Sequence, residues 1–161
     1  ATSRKVGDQY YAMVSPVMID AKNPLYSVNG VFNAIFIHGN VLGDAMFYGS
    51  GAGKLPTASA VVADVVDCAK NKGRNIMMSW SEEKLNLLQI DDVKSRFFVR
   101  VSGHAAERQS EIEELFGKVE IVAVPSLSEE FAFITGEITE QEYREKAEKL
   151  DGIQSRIRAR I

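Results

Sequence analysis

Gly49-Ser50-Gly51-Ala52-Gly53-Lys54-Leu55-Pro56-Thr57-Ala58-Ser59-Ala60 is the stretch of this sequence whose residue types could do chemistry. Its glycines alternate with small residues directly after the apolar run Ala45-Met46-Phe47-Tyr48. Glycine lacks a Cβ, so backbone here could approach a ligand closely. Pro56 suits the first turn of a helix, where its missing N–H costs nothing. The helix start then offers free N–H groups and the positive end of the dipole. Such a loop suits a phosphate or the polar edge of a cofactor, and the same pattern also describes a tight strand-to-helix turn. It is not the phosphate loop G-x-x-x-x-G-K-[ST]. Tyr48 stands at the first glycine's place and Leu55 at the Ser/Thr place, which leaves no hydroxyl for magnesium and excludes ATP hydrolysis. G-x-G-x-x-G fails as well, because its third glycine would fall on Lys54. Lys54 itself reads as an exposed loop lysine.

Other reactive residue types have bland readings. Asp64 and Asp67 lie three apart on a helical run, without a histidine or third carboxylate, and read as a solvated face rather than a metal or acid–base pair. Cys68 is the only cysteine, so it cannot form an internal disulfide. Among Val61, Val62, Val65 and Val66 it is expected to be a small apolar core residue. His38 and His104 read as solvated turn and surface residues. The pattern assigns no catalytic residue and no metal site.

The elements that must position the loop follow from periodicity. Residues 9–14 and 15–19 have strand character, with Pro16 at an edge or kink. Asp20-Ala21-Lys22-Asn23-Pro24 is a turn cluster. Residues 32–38 and 45–48 read as a β-hairpin across His38-Gly39-Asn40. Residues 57–70 read as a helix with its valines on one face, stabilised by burial because valine is a mediocre helix former. Asn71-Lys72-Gly73-Arg74-Asn75 should end it, with Gly73 able to take a left-handed cap. Around 77–89, Trp80 and Leu85, Leu87 and Leu88 suggest packing against a domain.

The second half has a different rhythm. Strands are expected at 97–101, 119–124 and 131–138, and helices at 106–116 and 139–150, the latter opened by a Thr139/Glu142 capping box. Residues 153–161 alternate Ile153, Ser155, Ile157, Ala159 and Ile161 against Gln154, Arg156, Arg158 and Arg160, a half-buried strand with an arginine-rich outer face. The order is βαββαβ, the ferredoxin-like arrangement. The fold class is α+β.

Composition narrows the class of function. The 161 residues are 45% hydrophobic and 25% charged, ordinary for a soluble globular protein. A formal charge of −3 argues against a nucleic-acid partner. No apolar run approaches the roughly 20 residues that span a bilayer, and no signal peptide is visible. A cytoplasmic protein without a membrane partner is expected.

Residues 23–70 resemble the end of the catalytic region of homoserine dehydrogenase. Asn23-Pro24-Leu25, Val28-Asn29-Gly30-Val31-Phe32-Asn33-Ala34, Gly43-Asp44-Ala45-Met46-Phe47-Tyr48-Gly49, Gly51-Ala52-Gly53 and Pro56-Thr57-Ala58-Ser59-Ala60-Val61-Val62-Ala63-Asp64 carry the likeness. The resemblance implies an oxidoreductase that interconverts L-homoserine and L-aspartate 4-semialdehyde with NAD(P), on the route to threonine, methionine and isoleucine. It implies that Gly51, Ala52, Gly53 and Thr57 face the cofactor in the complete enzyme, with Gly53 foremost. The family's Rossmann domain and catalytic lysine have no counterpart here, and Lys5 is not that lysine. The chain is therefore expected to be a C-terminal part of the enzyme, inactive alone and without tightly bound cofactor. The expected division is 1–70 as the end of the catalytic domain, 71–95 as a linker, and 96–161 as a module resembling the ACT domain.

That second resemblance implies L-threonine as the candidate effector. The sequence departs from the family here: Ser102-Gly103-His104-Ala105-Ala106-Glu107 stands where the family has an acidic residue followed by Pro-Gly. Two readings stay open, a threonine sensor and a non-catalytic oligomerisation module that binds no effector. A homo-oligomer is expected through the 32–48 strands, the ACT-like module, or both.

Overall fold

The computed structural model describes residues 1–74 and 77–161. It is a mixed α/β structure that divides into two compact units, Ala1–Ile19 with Lys84–Ile161, and Asp20–Glu83. Residues 1–70, read from the sequence as one segment, thus contribute to both.

In the first unit, β1 (Thr2–Val6) and β2 (Gln9–Met13) form an antiparallel hairpin. Residues 86–88, inside the expected linker, run along β2: Tyr10 N–H donates to the Asn86 carbonyl and Leu88 N–H to the Tyr10 carbonyl, both at 2.8 Å. Strand β3 (Val17–Ile19) belongs to a different sheet.

The second unit holds a short 3₁₀ turn at Pro24–Ser27, capped by Asn23 Oδ1, which accepts from Leu25 N–H at 3.0 Å. Antiparallel strands β4 (Phe32–Gly39) and β5 (Gly43–Ser50) follow, then helix α1 (Lys54–Lys70). Asn71 ends the helix, its N–H and Nδ2 both donating to the Asp67 carbonyl, and Gly73 takes the left-handed conformation at φ 76°. Asn75, the last residue of the expected helix stop, lies outside the described residues.

The main sheet is built by β6 (Lys94–Ser102), β7 (Glu120–Val122), β8 (Glu130–Ile134), β9 (Ile138–Thr139) and β10 (Ile153–Arg160). Helices α2 (Ala105–Phe116) and α3 (Glu140–Ala147) connect them. The strand order is β3-β10-β6-β8-β7; β3 joins β10 in parallel and the other neighbours are antiparallel, while β9 pairs separately with β6.

Period-two burial of Phe97, Val99 and Val101 faces Phe131 and Phe133 of β8. Ile112 and Phe116, four apart on α2, close over them, and Tyr143 of α3 and Leu150 complete the core. Rings pack in tilted pairs, Phe97 with Tyr143 at 4.5 Å and Phe116 with Phe133 at 5.1 Å between centroids. The capping box forms as read: Thr139 Oγ1 accepts from Glu142 N–H at 3.1 Å, and Glu142 Oε2 from Thr139 N–H at 2.7 Å. Those bonds hold the Glu142 carboxyl below its ordinary range.

Several sequence expectations are corrected. The strand expected at 131–138 breaks at Thr135, whose buried hydroxyl accepts from Phe97 N–H at 3.0 Å and donates to the Gly136 carbonyl at 2.8 Å. The arginines of β10 do not form an outer face. A register shift between Ile153 and Ser155 sets Arg156 opposite Val99 and Arg158 opposite Phe97. Directly paired residues share a face, so a bulge has turned both guanidiniums toward α3. There Arg156 lies over the Tyr143 ring at 4.7 Å, and Glu140, 4% exposed, takes both arginines. Burial pushes the Tyr143 phenol up, with Arg156 opposing. Helix α1 buries none of its residues, and Cys68 is exposed rather than in a core. Trp80 is 84% exposed rather than packed. These residues share one cause: among the described residues, no other side chain of the unit covers the apolar surface they present.

Candidate functional site

The glycine loop sits where β5 hands over to α1. Gly49 and Ser50 finish the strand, Gly51 and Ala52 turn, and Gly53 is the N-cap at φ 118° and ψ 150°. A non-glycine residue would be strained at that φ. Thr57 N–H donates to the Gly53 carbonyl at 3.1 Å, the first bond of the helix. Gly53 has no side chain to cap with, and Pro56 carries no N–H. The N–H groups of Lys54 and Leu55 are therefore the helix-end donors left by this sequence. Gly51, Ala52, Gly53, Lys54 and Thr57 are all exposed. The structure brings Gly51, Ala52, Gly53 and Thr57 together around one helix start, a geometry that can receive an anionic or polar ligand edge.

Sequence reasoning missed the support beneath the loop. A Cβ on Gly51 would come within 2.3 Å of Asn33 Nδ2 and 3.0 Å of Asn33 Cβ. Asn33 lies on β4, directly opposite Gly49. Its side chain thus occupies the space beside Gly51, and a Cβ there would force Asn33 to move. The available signal was a polar residue, Asn33, near the start of the apolar run of β4.

The remaining candidates stand apart from the loop. His38 is a strand residue rather than a turn residue: it is the penultimate residue of β4, opposite Asp44, and its Nδ1 lies 2.5 Å from Asp44 Oδ1 in an exposed pair. His104 is the exposed N-cap of α2 and makes no side-chain cap bond. Asp64 and Asp67 are exposed on α1. Among the described residues, no group of three or more His, Cys, Asp or Glu could hold a metal, and no helix is long and apolar enough to cross a membrane.

At the β6–α2 turn, Gly103 has φ 104° and donates its N–H to the Glu129 carbonyl at 2.8 Å. The Arg108 side chain lies across this turn. Its Cδ would meet a Gly103 Cβ at 3.2 Å, and its Nη1 donates to the Ser102 carbonyl at 3.0 Å. Its Nε and Nη2 donate to Glu111 Oε2 at 3.1 and 3.0 Å.

Residues 1–66 match the family model for homoserine dehydrogenase. A homoserine dehydrogenase of Lactococcus lactis is 42% identical over 94 residues, covering 56% of this chain and 22% of that protein. One from Corynebacterium glutamicum is 54% identical over 61 residues, covering 38% of this chain and 14% of that protein. The chain thus spans a quarter or less of these relatives' length. The solved structure of a homoserine dehydrogenase from Thiobacillus denitrificans superposes with a TM-score of 0.74 over 98% of this chain and 41% of that one, at 24% identity, a likeness of fold. Residues 1–66 are thus similar to part of the homoserine dehydrogenases, a family of oxidoreductases.

Proposed function

We propose that the chain is the C-terminal part of a homoserine dehydrogenase, an enzyme that interconverts L-homoserine and L-aspartate 4-semialdehyde with NAD(P). The observation that carries this reading is the family match over 1–66, which takes in the whole glycine loop. In the complete enzyme the Gly51-Ala52-Gly53 backbone and Thr57 face the cofactor. The exposed N–H groups at the start of α1 and the absence of a Cβ at Gly51 and Gly53 support that role. This chain has no turnover of its own and holds NAD(P) weakly or not at all. The test is a chimera in which residues 1–66 replace the matched segment of the Lactococcus lactis enzyme. Homoserine oxidation should survive in the chimera and fall sharply with Gly53→Val, while the 161-residue chain stays inactive. A folded but inactive chimera overturns the reading.

The second half acts as an ACT-like module of ferredoxin-like topology. Its order β6-α2-β7-β8-α3-β10 and the sheet order β10-β6-β8-β7 support this. Two functions compete for it, L-threonine sensing and effector-free assembly of subunits, the latter together with the apolar 32–48 hairpin. The Arg108 side chain across the Gly103 turn favours the second, because it fills space beside the backbone that a small effector would need. Calorimetric titration with L-threonine, against L-serine and L-isoleucine, separates them: saturable threonine-selective heat selects sensing, and no heat from a folded sample selects assembly. Sedimentation of the chain should show a concentration-dependent oligomer, and a strict monomer removes the assembly role.

A further inference from the structure

Asn33 is the one polar side chain on its face of the β4–β5 hairpin. Its cross-strand partner is Gly49, and the same face continues through the pairs Ile35–Phe47 and Ile37–Ala45. Asparagine is depleted in strands, and isoleucine and phenylalanine are the residues that suit such a face. Glycines keep the asparagine uncovered: Gly49 opposite it and Gly51 two residues on present bare backbone, and all three positions are exposed. Asn33 Nδ2 lies 2.3 Å from where a Gly51 Cβ would stand. The carboxamide therefore fills the place of the side chain that position 51 lacks, a polar group supplied to the glycine loop by the neighbouring strand. Its own bonding is incomplete. Nδ2 donates to the Val31 carbonyl at 3.4 Å, a long bond, and Oδ1 accepts none among the described residues.

We propose that the Asn33 carboxamide is a further cofactor-binding group, its Oδ1 accepting from the carboxamide N–H2 of the nicotinamide ring. The inference rests on the reading of the glycine loop as cofactor-facing. An open acceptor selects a ligand N–H or O–H and disfavours a phosphate, which offers acceptors alone. The nicotinamide carboxamide is such a donor, and it is carried by the hydride-bearing ring, the end of NAD(P) that must reach the substrate of a dehydrogenase. Gly51 has its part in this: without a Cβ it leaves the Asn33 amide lying across the loop.

The test uses the complete Lactococcus lactis enzyme in which residues 1–66 replace the matched segment, and reads binding of the reduced cofactor by calorimetry. Asn33→Ala should raise Kd about tenfold, near the upper end of what one neutral hydrogen bond is worth. Its kcat at saturating cofactor should stay within about twofold, because an interaction made equally in ground and transition states sets binding alone. The acetylpyridine analogue of the cofactor keeps the carbonyl and loses the N–H2. It should bind about tenfold more weakly than the natural cofactor to the unmutated chimera, and no more weakly than the natural cofactor to Asn33→Ala. The hypoxanthine analogue, altered only at the adenine end, should change by the same factor in both proteins. Asn33→Asp keeps the acceptor and should keep the Kd. Gly51→Ala drives a Cβ into the amide, and should copy Asn33→Ala and add nothing to it in the double variant. A Kd that Asn33→Ala leaves unchanged, or an acetylpyridine deficit that persists in Asn33→Ala, overturns the proposal while the chimera remains active. A folded chimera without turnover overturns the reading beneath it, and the proposal with it.

Discussion

Two apolar regions of this chain meet opposite fates. In the sheet of the C-terminal half, Phe97, Val99, Val101 and Phe133 are fully buried under α2 and α3. In the unit 20–83, no described residue is buried. There β4 and β5 put Ile35 and Phe47 on one face and Phe36 and Met46 on the other, so the hairpin is apolar on both sides. Ile35 and Phe47 are each 65% exposed. A two-stranded hairpin alone is marginal in water, and a helix gains most of its stability from packing an apolar face. The pattern of the second unit is that of a central strand pair and a core helix, written for burial that its own side chains do not provide.

The widest gap between the regions should appear on truncating one aromatic ring in each. Phe133→Ala removes a fully buried ring packed on Phe116 and should cost ~3–5 kcal/mol of stability. Phe47→Ala removes an exposed ring and should cost no more than ~0.5 kcal/mol in this chain. Hydrogen exchange read amide by amide checks both, since protection of β6 and β8 follows the first and protection of β4 and β5 the second. If Phe47→Ala is as costly as Phe133→Ala, the hairpin is covered in solution and the contrast fails.

Charge pairs repeat the contrast at smaller size. Glu140 is 4% exposed and holds Arg156 and Arg158. Glu140→Gln leaves two partly buried guanidiniums facing each other and should cost ~3 kcal/mol. Asp44, paired with His38 on the exposed hairpin, should lose less than ~0.5 kcal/mol as Asp44→Asn. Urea midpoints of the two variants, followed by backbone circular dichroism, decide whether burial or pairing sets the value. Equal losses would mean that pairing alone does.

How far the sequence could be read depended on whether a signal was local. The Thr139/Glu142 box and the Gly73 turn are short-range chemistry, and each formed where the residues placed it. The glycine loop was legible as a strand-to-helix turn because Gly53, Pro56 and the valine run follow one another in a short stretch of sequence. The bulge at Ile153/Ser155 was not legible, since one extra residue inverts an alternation without changing composition. Asn33 beneath Gly51 was hidden for a related reason: its meaning depends on a cross-strand register rather than on its neighbours in sequence. Burial of Cys68 and Trp80 failed in the opposite way. Their apolar context describes what the segment is built to touch, and that contact is not among the side chains of its own unit.

The starts of helices α1 and α3 differ in how their first turns are satisfied. Helix α3 is closed by side chains, whereas α1 begins at Gly53 with none. Thr139→Ala should therefore cost ~1 kcal/mol, the usual worth of a threonine cap. The reciprocal bond adds an acid limb. The Thr139 N–H and hydroxyl hold the Glu142 carboxyl below its ordinary value of 4.5. A lowered folded-state pKa means that the stabilisation is fully present above that ordinary value and is lost as pH falls through the lower folded one. Glu142→Gln should keep the acceptor near neutrality and remove this dependence on acid. Thermal midpoints of wild type and Glu142→Gln, measured from neutral pH downward, should converge as the carboxyl protonates. Parallel curves would mean that the box contributes no proton-linked stability and that α3, like α1, is held by something other than its cap.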